Sequence, residues 1–190
     1  LNVEEIGCDF LSISSHKIHG AKGVGALYIR NKSIMSPIIC GGNKQEFGLR
    51  GGTENVAGIV GFGAACEILQ NNLENDAEHV TGLRRLLYNS IHRFLAESGI
   101  EGIFHINGDM NLNSIGKTLS VRFDNVDGET LLLMLDAKGI YVSSGSACRS
   151  YNSEPSHVLM AMGIDSEDAR NSIRLSLSRM NTEEEILKAA

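Results

Sequence analysis

The alternation of apolar and polar positions divides the first part of the chain into two strands and two helices. Residues 10–14 alternate apolar and polar side chains, as in a half-buried strand, and residues 23–30 form an apolar run that is entered through glycines. Apolar residues then recur at helical spacing over 54–70 and again over 74–97. Because Asn71 and the asparagine after it interrupt this spacing, the pattern predicts two separate helices.

The rest of the chain continues this alternation of strands and helices. The pattern predicts strands at 118–123, 140–142 and 173–177, and helices at 128–138, at 155–162 and from Thr182 onwards. Gly139 is placed to end a helix, and Thr182 with Glu185 forms the signature of a capping box. Such alternation is typical of an α/β fold. The change from strands and loops to long helices predicts two domains, 1–72 and 73–190.

Composition excludes several function classes. The 17 Lys and Arg residues against 23 Asp and Glu residues give a formal charge of −6, so no nucleic-acid partner is expected. No apolar run approaches the roughly 20 residues that cross a membrane, and no signal-peptide pattern is present, so no membrane partner is expected. Four widely spaced cysteines without a Cys-x-x-Cys spacing favour a reducing, cytoplasmic location over a zinc site or disulfides.

A basic turn follows the first predicted strand. Polar side chains beyond a strand end of an α/β sheet are well placed to bind ligands, and Ser14, His16 and Lys17 occupy this position. His19 and Lys22 are further basic neighbours of Lys17, and a clustered, partly desolvated amine is a nucleophile toward carbonyl compounds. Ser14 and His16 could donate hydrogen bonds to a phosphate. The alternative is an exposed basic turn without a site.

Cys148 stands apart from the other three cysteines. It lies among small residues with Arg149 adjacent, which predicts an exposed thiol on a loop that can move, with its thiolate stabilised by the cation. Such a nucleophile could reach a substrate and then a partner protein. The alternative is an ordinary surface thiol. Cys66 lies on an apolar helix face, Cys40 ends an apolar run and Cys8 precedes a strand, and all three are expected in the core.

Two further features could bind anions. Glycines followed by Thr53 at a predicted helix start offer backbone N–H groups, a hydroxyl and the positive helix end, although Thr53 could equally cap the helix. Arg174, in the strand 173–177, could hold a carboxylate through two N–H groups. The alternative for Arg174 is a surface ion pair, and Arg179 lies just beyond it.

Taken together and in this order, four segments resemble the cysteine desulfurases of the NifS/IscS type, group I, in the class V aminotransferase family. The segments are Ser14-Ser15-His16-Lys17-Ile18-His19-Gly20 with its continuation to Tyr28, Arg50-Gly51-Gly52-Thr53-Glu54-Asn55-Val56, Ser143 to Cys148, and Ser172 to Ser178. The resemblance covers essentially the whole chain. It implies the aspartate-aminotransferase-like fold (fold type I), with 1–72 as the C-terminal portion of the cofactor-binding large domain and 73–190 as the small domain that carries the cysteine loop.

The resemblance also assigns roles at the cofactor. Lys17 matches the lysine that holds pyridoxal 5′-phosphate covalently and later moves protons. Ser14 and His16 match phosphate-binding positions, and Thr53 matches the threonine that reaches the phosphate of the neighbouring subunit. A homodimer with shared sites is therefore implied.

Two more roles concern the substrate and the sulfur. Arg174 matches the arginine that holds the carboxylate of L-cysteine. Cys148 matches the nucleophile that takes the substrate sulfur as a persulfide and leaves L-alanine; with a partner it is also a candidate transient iron–sulfur ligand. The loop form favours delivery to an iron–sulfur scaffold or a sulfur-carrier protein, for cluster assembly or tRNA thiolation.

The sequence departs from the family pattern at its beginning. The family's cofactor-stacking histidine and the aspartate that pairs with the pyridine nitrogen lie upstream of the matched segments. The chain is therefore expected to be a fragment with little or no desulfurase activity alone. The alternatives are a non-catalytic dimerisation or partner-binding fragment and another enzyme of the superfamily, such as an aminotransferase or a selenocysteine lyase.

Overall fold

The computed structural model describes residues 2–42, 44–110, 116–144 and 155–190, and the fold is mixed α/β as the sequence predicts. The chain forms two compact units, Leu1–Leu73 and Glu74–Ala190. Among the described residues, none of the helices combines the length and apolar character that crossing a bilayer requires.

The first unit is built around a β-hairpin. After a short helix α1 (Val3–Ile6), strands β1 (Phe10–Ser14) and β2 (Gly25–Ile29) pair antiparallel, with Ser14 opposite Gly25. Both strands lie where the apolar pattern predicts them. A 3₁₀ turn, Ser15–Ile18, follows β1 directly, and two further 3₁₀ turns interrupt the loop between β2 and the long helix.

The prediction of two helices separated at Asn71 is wrong. A single helix, α2, runs from Val56 to Glu97 over 42 residues. Asn72 remains helical, and its side-chain amide donates a hydrogen bond to the Ile68 carbonyl oxygen at 2.8 Å. An asparagine costs a helix only about 0.7 kcal/mol relative to alanine. Two asparagines are therefore too weak a signal to end a helix that apolar contacts support.

The second unit packs one face of a sheet against helices. Strands β3 (Phe104–Ile106), β4 (Thr118–Phe123) and β5 (Ser172–Ser176) form an antiparallel sheet in the order β3-β4-β5. Successive side chains alternate between the two faces. The apolar face joins α2 and α6 in a core of nine buried residues: Val80, Leu83, Leu87, Ile91, Leu119, Val121, Ile173, Leu177 and Ile186.

The remaining helices of this unit are short, namely α3 (Gly128–Asp136), α4 (His157–Ala161), α5 (Ser166–Arg170) and α6 (Glu183–Ala189). Gly139 has a φ of 77° and its N–H donates to the Asp136 carbonyl oxygen, which confirms the predicted helix end. Thr182 forms the predicted capping box with Glu185. The strand expected at 140–142 is wrong, because this segment makes only an isolated bridge at Ser143.

The prediction that three of the cysteines lie in the core is also wrong for two of them. Cys8 is partly buried, whereas Cys40 and Cys66 are exposed, and all three thiols are free. Cys66 lies on α2 near Val60 and Ile68, which are 66% and 45% exposed. The sequence around Cys66 is therefore apolar, but this part of α2 is exposed in the structure.

Candidate functional site

The 3₁₀ turn Ser15–Ile18 presents the predicted lysine at the end of β1. Its first residue is held from both sides, since the Ser15 N–H donates to the Val24 carbonyl oxygen at 3.1 Å and its own carbonyl accepts from the Gly20 N–H at 3.0 Å. His16 and Lys17 are exposed on this fixed turn. Local backbone bonds thus place both side chains where the sequence predicts a ligand.

Two glycines allow the backbone to approach this closely. A β-carbon on Gly25 would lie 2.5 Å from the Ile13 carbonyl oxygen, and one on Gly20 would overlap the Ser15 hydroxyl. A side chain at Gly25 would therefore separate β2 from β1, and one at Gly20 would displace the Ser15 hydroxyl. This explains why the lysine segment carries glycines at these two places.

The polar groups of the turn are not used inside the described part of the chain. Ser14 occupies the cap position of the turn, but its exposed hydroxyl makes no capping hydrogen bond. Lys17 forms no ion pair with a described residue. The Ser15 hydroxyl is fully buried without a hydrogen-bond partner among the described residues, which is costly in a folded protein. Together with His16, this donor set fits a ligand that carries a phosphate and a carbonyl carbon.

Thr53 lies three residues before the first residue of α2 and two before its cap. The helix begins at Val56, and the Asn55 side-chain oxygen accepts the Gly58 N–H at 3.1 Å, so Asn55 is the cap. The alternative that Thr53 caps the helix is therefore wrong. Thr53 is exposed, and its hydroxyl makes no hydrogen bond to a described residue, which leaves it available to an anion.

The two neighbouring arginines of the second unit differ in their partners. The Arg179 Nη1 atom lies 3.5 Å from the Asp76 carboxylate oxygen, in a half-buried ion pair. Arg174, on β5, is partly buried and forms no ion pair within the described ranges. The ion-pair alternative thus applies to Arg179, and the guanidinium of Arg174 is left for another anion.

A polar network that the sequence analysis missed lies on the same face of the sheet as Arg174. Arg122 pairs with Asp168 at 2.9 Å and donates to the Asn107 side-chain oxygen at 3.0 Å. The Asn107 amide donates to the hydroxyls of Ser120 and Ser172, at 3.1 and 2.8 Å. Ser120 is the register partner of Arg174, so the network fixes the strand beside it. The polar residues at alternate positions of β4 are the sequence feature from which this network could have been predicted.

Ser143 joins the other edge of β5. Its N–H donates to the Arg174 carbonyl oxygen at 3.1 Å, and the Arg174 N–H donates to its carbonyl oxygen at 2.7 Å. Ser143 opens the segment that leads to Cys148, which itself lies outside the described residues. The backbone that precedes the predicted nucleophile is therefore attached at the predicted carboxylate-binding arginine.

The carboxyl groups with shifted pKa values lie away from these residues. Within the described ranges, no three His, Cys, Asp or Glu side chains gather as a metal site would require. Hydrogen bonds from the side chain and the N–H of Thr130 lower the pKa of Asp127, and the Thr182 N–H lowers the pKa of Glu185. Both carboxylates cap helices, so their shifted pKa values belong to folding.

Comparisons with known proteins identify the family of the chain. Residues 1–188 match the family described as aminotransferase class-V. The cysteine desulfurase IscS of Dictyoglomus turgidum is 42% identical over 98% of this chain and 45% of its own length, and that of Rickettsia typhi is 45% identical over 98% and 43%. A solved NifS-like protein is 41% identical with a TM-score of 0.83, over 100% of this chain and 46% of that one. The chain spans a little under half the length of these relatives, and it belongs to the class V aminotransferase family.

Proposed function

We propose that this chain contributes the lysine, part of the phosphate site and the sulfur-accepting segment to a cysteine desulfurase that uses pyridoxal 5′-phosphate. One observation carries the proposal most directly. Arg174 has no ion pair among described residues and is joined by two backbone hydrogen bonds to Ser143, which leads to Cys148. A carboxylate-binding group and a thiol connected in this way suit an amino-acid substrate that gives up its sulfur.

The residues at the end of β1 fit the cofactor. Lys17 supplies the amine for its aldehyde carbon, and Ser14 and His16 supply donors for its phosphate. Thr53 supplies a donor for the phosphate in the neighbouring subunit. The cofactor, when bound, supplies an electron sink that weakens the bonds of the substrate carbons. Lys17 then moves a proton at its Nζ atom, which is exposed and unpaired within the described ranges. Arg174 orients the substrate by its carboxylate.

The sulfur transfer needs no outside oxidant or reductant. The Cys148 thiolate attacks the sulfur of L-cysteine, and a sulfur–sulfur bond forms as the carbon–sulfur bond breaks. The electron pair of the broken bond stays with the substrate carbon, which takes up a proton. The products are L-alanine and a persulfide on Cys148.

Domains, partners and location complete the proposal. Residues 1–72 form the C-terminal portion of the cofactor-binding domain and 73–190 the small domain, and a homodimer brings Thr53 to the neighbouring subunit's phosphate. The sulfur passes to an iron–sulfur scaffold or a sulfur-carrier protein, with Cys148 as a transient iron–sulfur ligand. The free thiols of Cys8, Cys40 and Cys66 support the reducing cytoplasm as its location.

Reductive trapping tests the cofactor assignment. Borohydride added with pyridoxal phosphate is expected to leave one pyridoxyl group on Lys17, located by intact mass and peptide mapping. Lys17→Ala is expected to remove the adduct, whereas Lys22→Ala, an exposed lysine of the same loop, keeps it. An adduct that stays in Lys17→Ala would disprove the assignment.

The nucleophile is tested separately in the whole protein. Cys148→Ser is expected to abolish persulfide formation and alanine production while it leaves the Lys17 adduct intact. Cys66→Ser, at another exposed thiol, serves as the control and is expected to change neither. Sulfur transfer that survives Cys148→Ser would overturn the proposed mechanism.

A further inference from the structure

The loop that precedes Thr53 is closed by a contact between two glycines. A β-carbon on Gly51 would lie 2.5 Å from the Gly41 Cα atom, and one on Gly41 would lie 2.6 Å from the Gly51 Cα atom. The Gly51 N–H donates to the Ile39 carbonyl oxygen at 2.8 Å. The backbone leading to Thr53 is thus packed directly on an earlier part of the same loop.

The next peptide is held by a side chain. The Gly52 N–H donates to the Gln45 Oε1 atom at 2.9 Å, and the Gln45 side chain lies against Gly42, where a β-carbon would come within 3.2 Å of Oε1. Gly52 has a φ of 107°, a conformation that residues with side chains rarely adopt. The Gly51–Gly52 peptide is therefore held at both ends, by the Gln45 Oε1 atom at its N–H and by the Arg50 Nη1 atom, which donates to its carbonyl oxygen at 3.0 Å.

The residues after Gln45 are strained. Glu46 and Phe47 have φ values of 43° and 59°, in the left-handed region that non-glycine residues avoid. The Lys32 Nζ atom lies 3.5 Å from the centre of the Phe47 ring and fixes this turn from outside. Strain that neighbouring contacts maintain is characteristic of functional loops. The Gln45 side chain, directly before these two residues, accepts the hydrogen bond from Gly52.

We propose that Gln45 is a positioning residue for the cofactor phosphate: it holds the Gly52 peptide so that the Thr53 hydroxyl stays free and fixed for that phosphate. The inference rests on the proposed function, since it requires Thr53 to contact the phosphate. It also explains the unused Thr53 hydroxyl, because the loop is shaped by Gln45 and the cap of α2 is Asn55.

The test compares two glutamine-to-methionine variants of the whole protein. Gln45→Met keeps the length of the side chain but removes the acceptor oxygen, and Gln70→Met, at an exposed position of α2, is the matched control. The dissociation constants of pyridoxal phosphate and of pyridoxal, which lacks the phosphate, are measured by absorbance. Losing one hydrogen bond is expected to weaken pyridoxal phosphate binding about five-fold in Gln45→Met, with pyridoxal binding unchanged.

Amide hydrogen exchange provides the rescue measurement. The Gly52 amide is expected to exchange faster in Gln45→Met and to regain protection in Gln45→Glu, which restores an acceptor oxygen. Equal affinity for pyridoxal phosphate in Gln45→Met and Gln70→Met would overturn the inference alone. An equal loss for pyridoxal would do so too, since it indicates a general loss of structure. Failure of the unsubstituted protein to bind pyridoxal phosphate at Lys17 would overturn the proposed function itself.

Discussion

The two compact units support their candidate residues in different ways. In the second unit, nine buried apolar residues of α2, the sheet and α6 form a continuous core beneath Arg174 on β5. In the first unit, Phe62 and Ala65 are buried, while Ile38, Phe47 and Val60 are 92%, 77% and 66% exposed. Burial of apolar area is the main stabilising term of a fold. Arg174 therefore lies above a continuous apolar core, whereas the unit that carries the lysine turn leaves several large apolar side chains exposed.

The largest expected effect distinguishes these cores directly. Leu119→Ala removes a side chain that is 1% exposed on β4, and it is expected to lower the free energy of unfolding by about 3 kcal/mol. Leu27→Ala, on the 47% exposed position of β2, is the matched variant and is expected to cost less than about 1 kcal/mol. Urea unfolding followed by circular dichroism measures both. Equal losses would mean that the units are equally well packed.

A similarly large effect tests the helix that runs through both units. Asn72→Pro removes a backbone donor inside α2 and clashes with the preceding turn, so it is expected to cost about 3 kcal/mol. Asn72→Ala is expected to change the free energy of unfolding by less than about 0.5 kcal/mol, since alanine is the better helix former. If the proline variant unfolded at the same urea concentration as the alanine variant, the helix would be broken at this point.

An intermediate effect separates the two arginines of the second unit. Arg174→Gln is expected to leave stability unchanged but to lower kcat/KM for L-cysteine in the whole protein about 30-fold, through loss of a charged hydrogen bond. Arg179→Gln breaks the half-buried pair with Asp76 and is expected to cost up to about 1 kcal/mol of stability with kcat/KM retained. Steady-state kinetics and urea unfolding on both variants check this, and a reversed pattern would exchange their roles.

The smallest effect concerns pH and the cap of α6. The Thr182 N–H and the Asn181 amide lower the pKa of Glu185 below its ordinary value of 4.5. A lowered pKa in the folded state means that the carboxylate contributes stability above pH 4.5, which is lost as the pH falls through the lowered value. Glu185→Gln is expected to remove this dependence of stability on pH. Glu184→Gln, at a neighbouring exposed position, is expected to leave it unchanged. Thermal unfolding at successive pH values below 4.5 decides between them.

The parts of the fold that follow from local residues could be predicted from the sequence. Thr182 and Glu185 complete a cap within four residues, and Gly139 ends a helix through its own φ, so neither depends on distant contacts. Apolar alternation located β1 and β4. The lysine turn could also be predicted from local residues. It follows β1 directly, and the two glycines that come after it allow the close contacts with Ile13 and Ser15.

The parts that depend on distant contacts could not be predicted. Asp76 and Arg179 are 103 positions apart, so nothing local indicates that Arg179 forms an ion pair while Arg174 forms none with a described residue. Ser143 pairs with β5 rather than continuing a strand from 140–142, because its partner comes from another part of the sheet. The role of Asn55 as the cap depended on where α2 begins, a boundary that the apolar spacing placed two residues early.

The hairpin of the first unit has a practical consequence for handling the chain alone. Among the described residues, β1 and β2 pair only with each other, so each strand keeps one edge with unsatisfied N–H and carbonyl groups. Such open edges promote pairing with strands of other chains, and exposed apolar side chains such as Phe10 and Leu27 lie beside them. Preparations of the isolated chain should therefore self-associate increasingly with concentration.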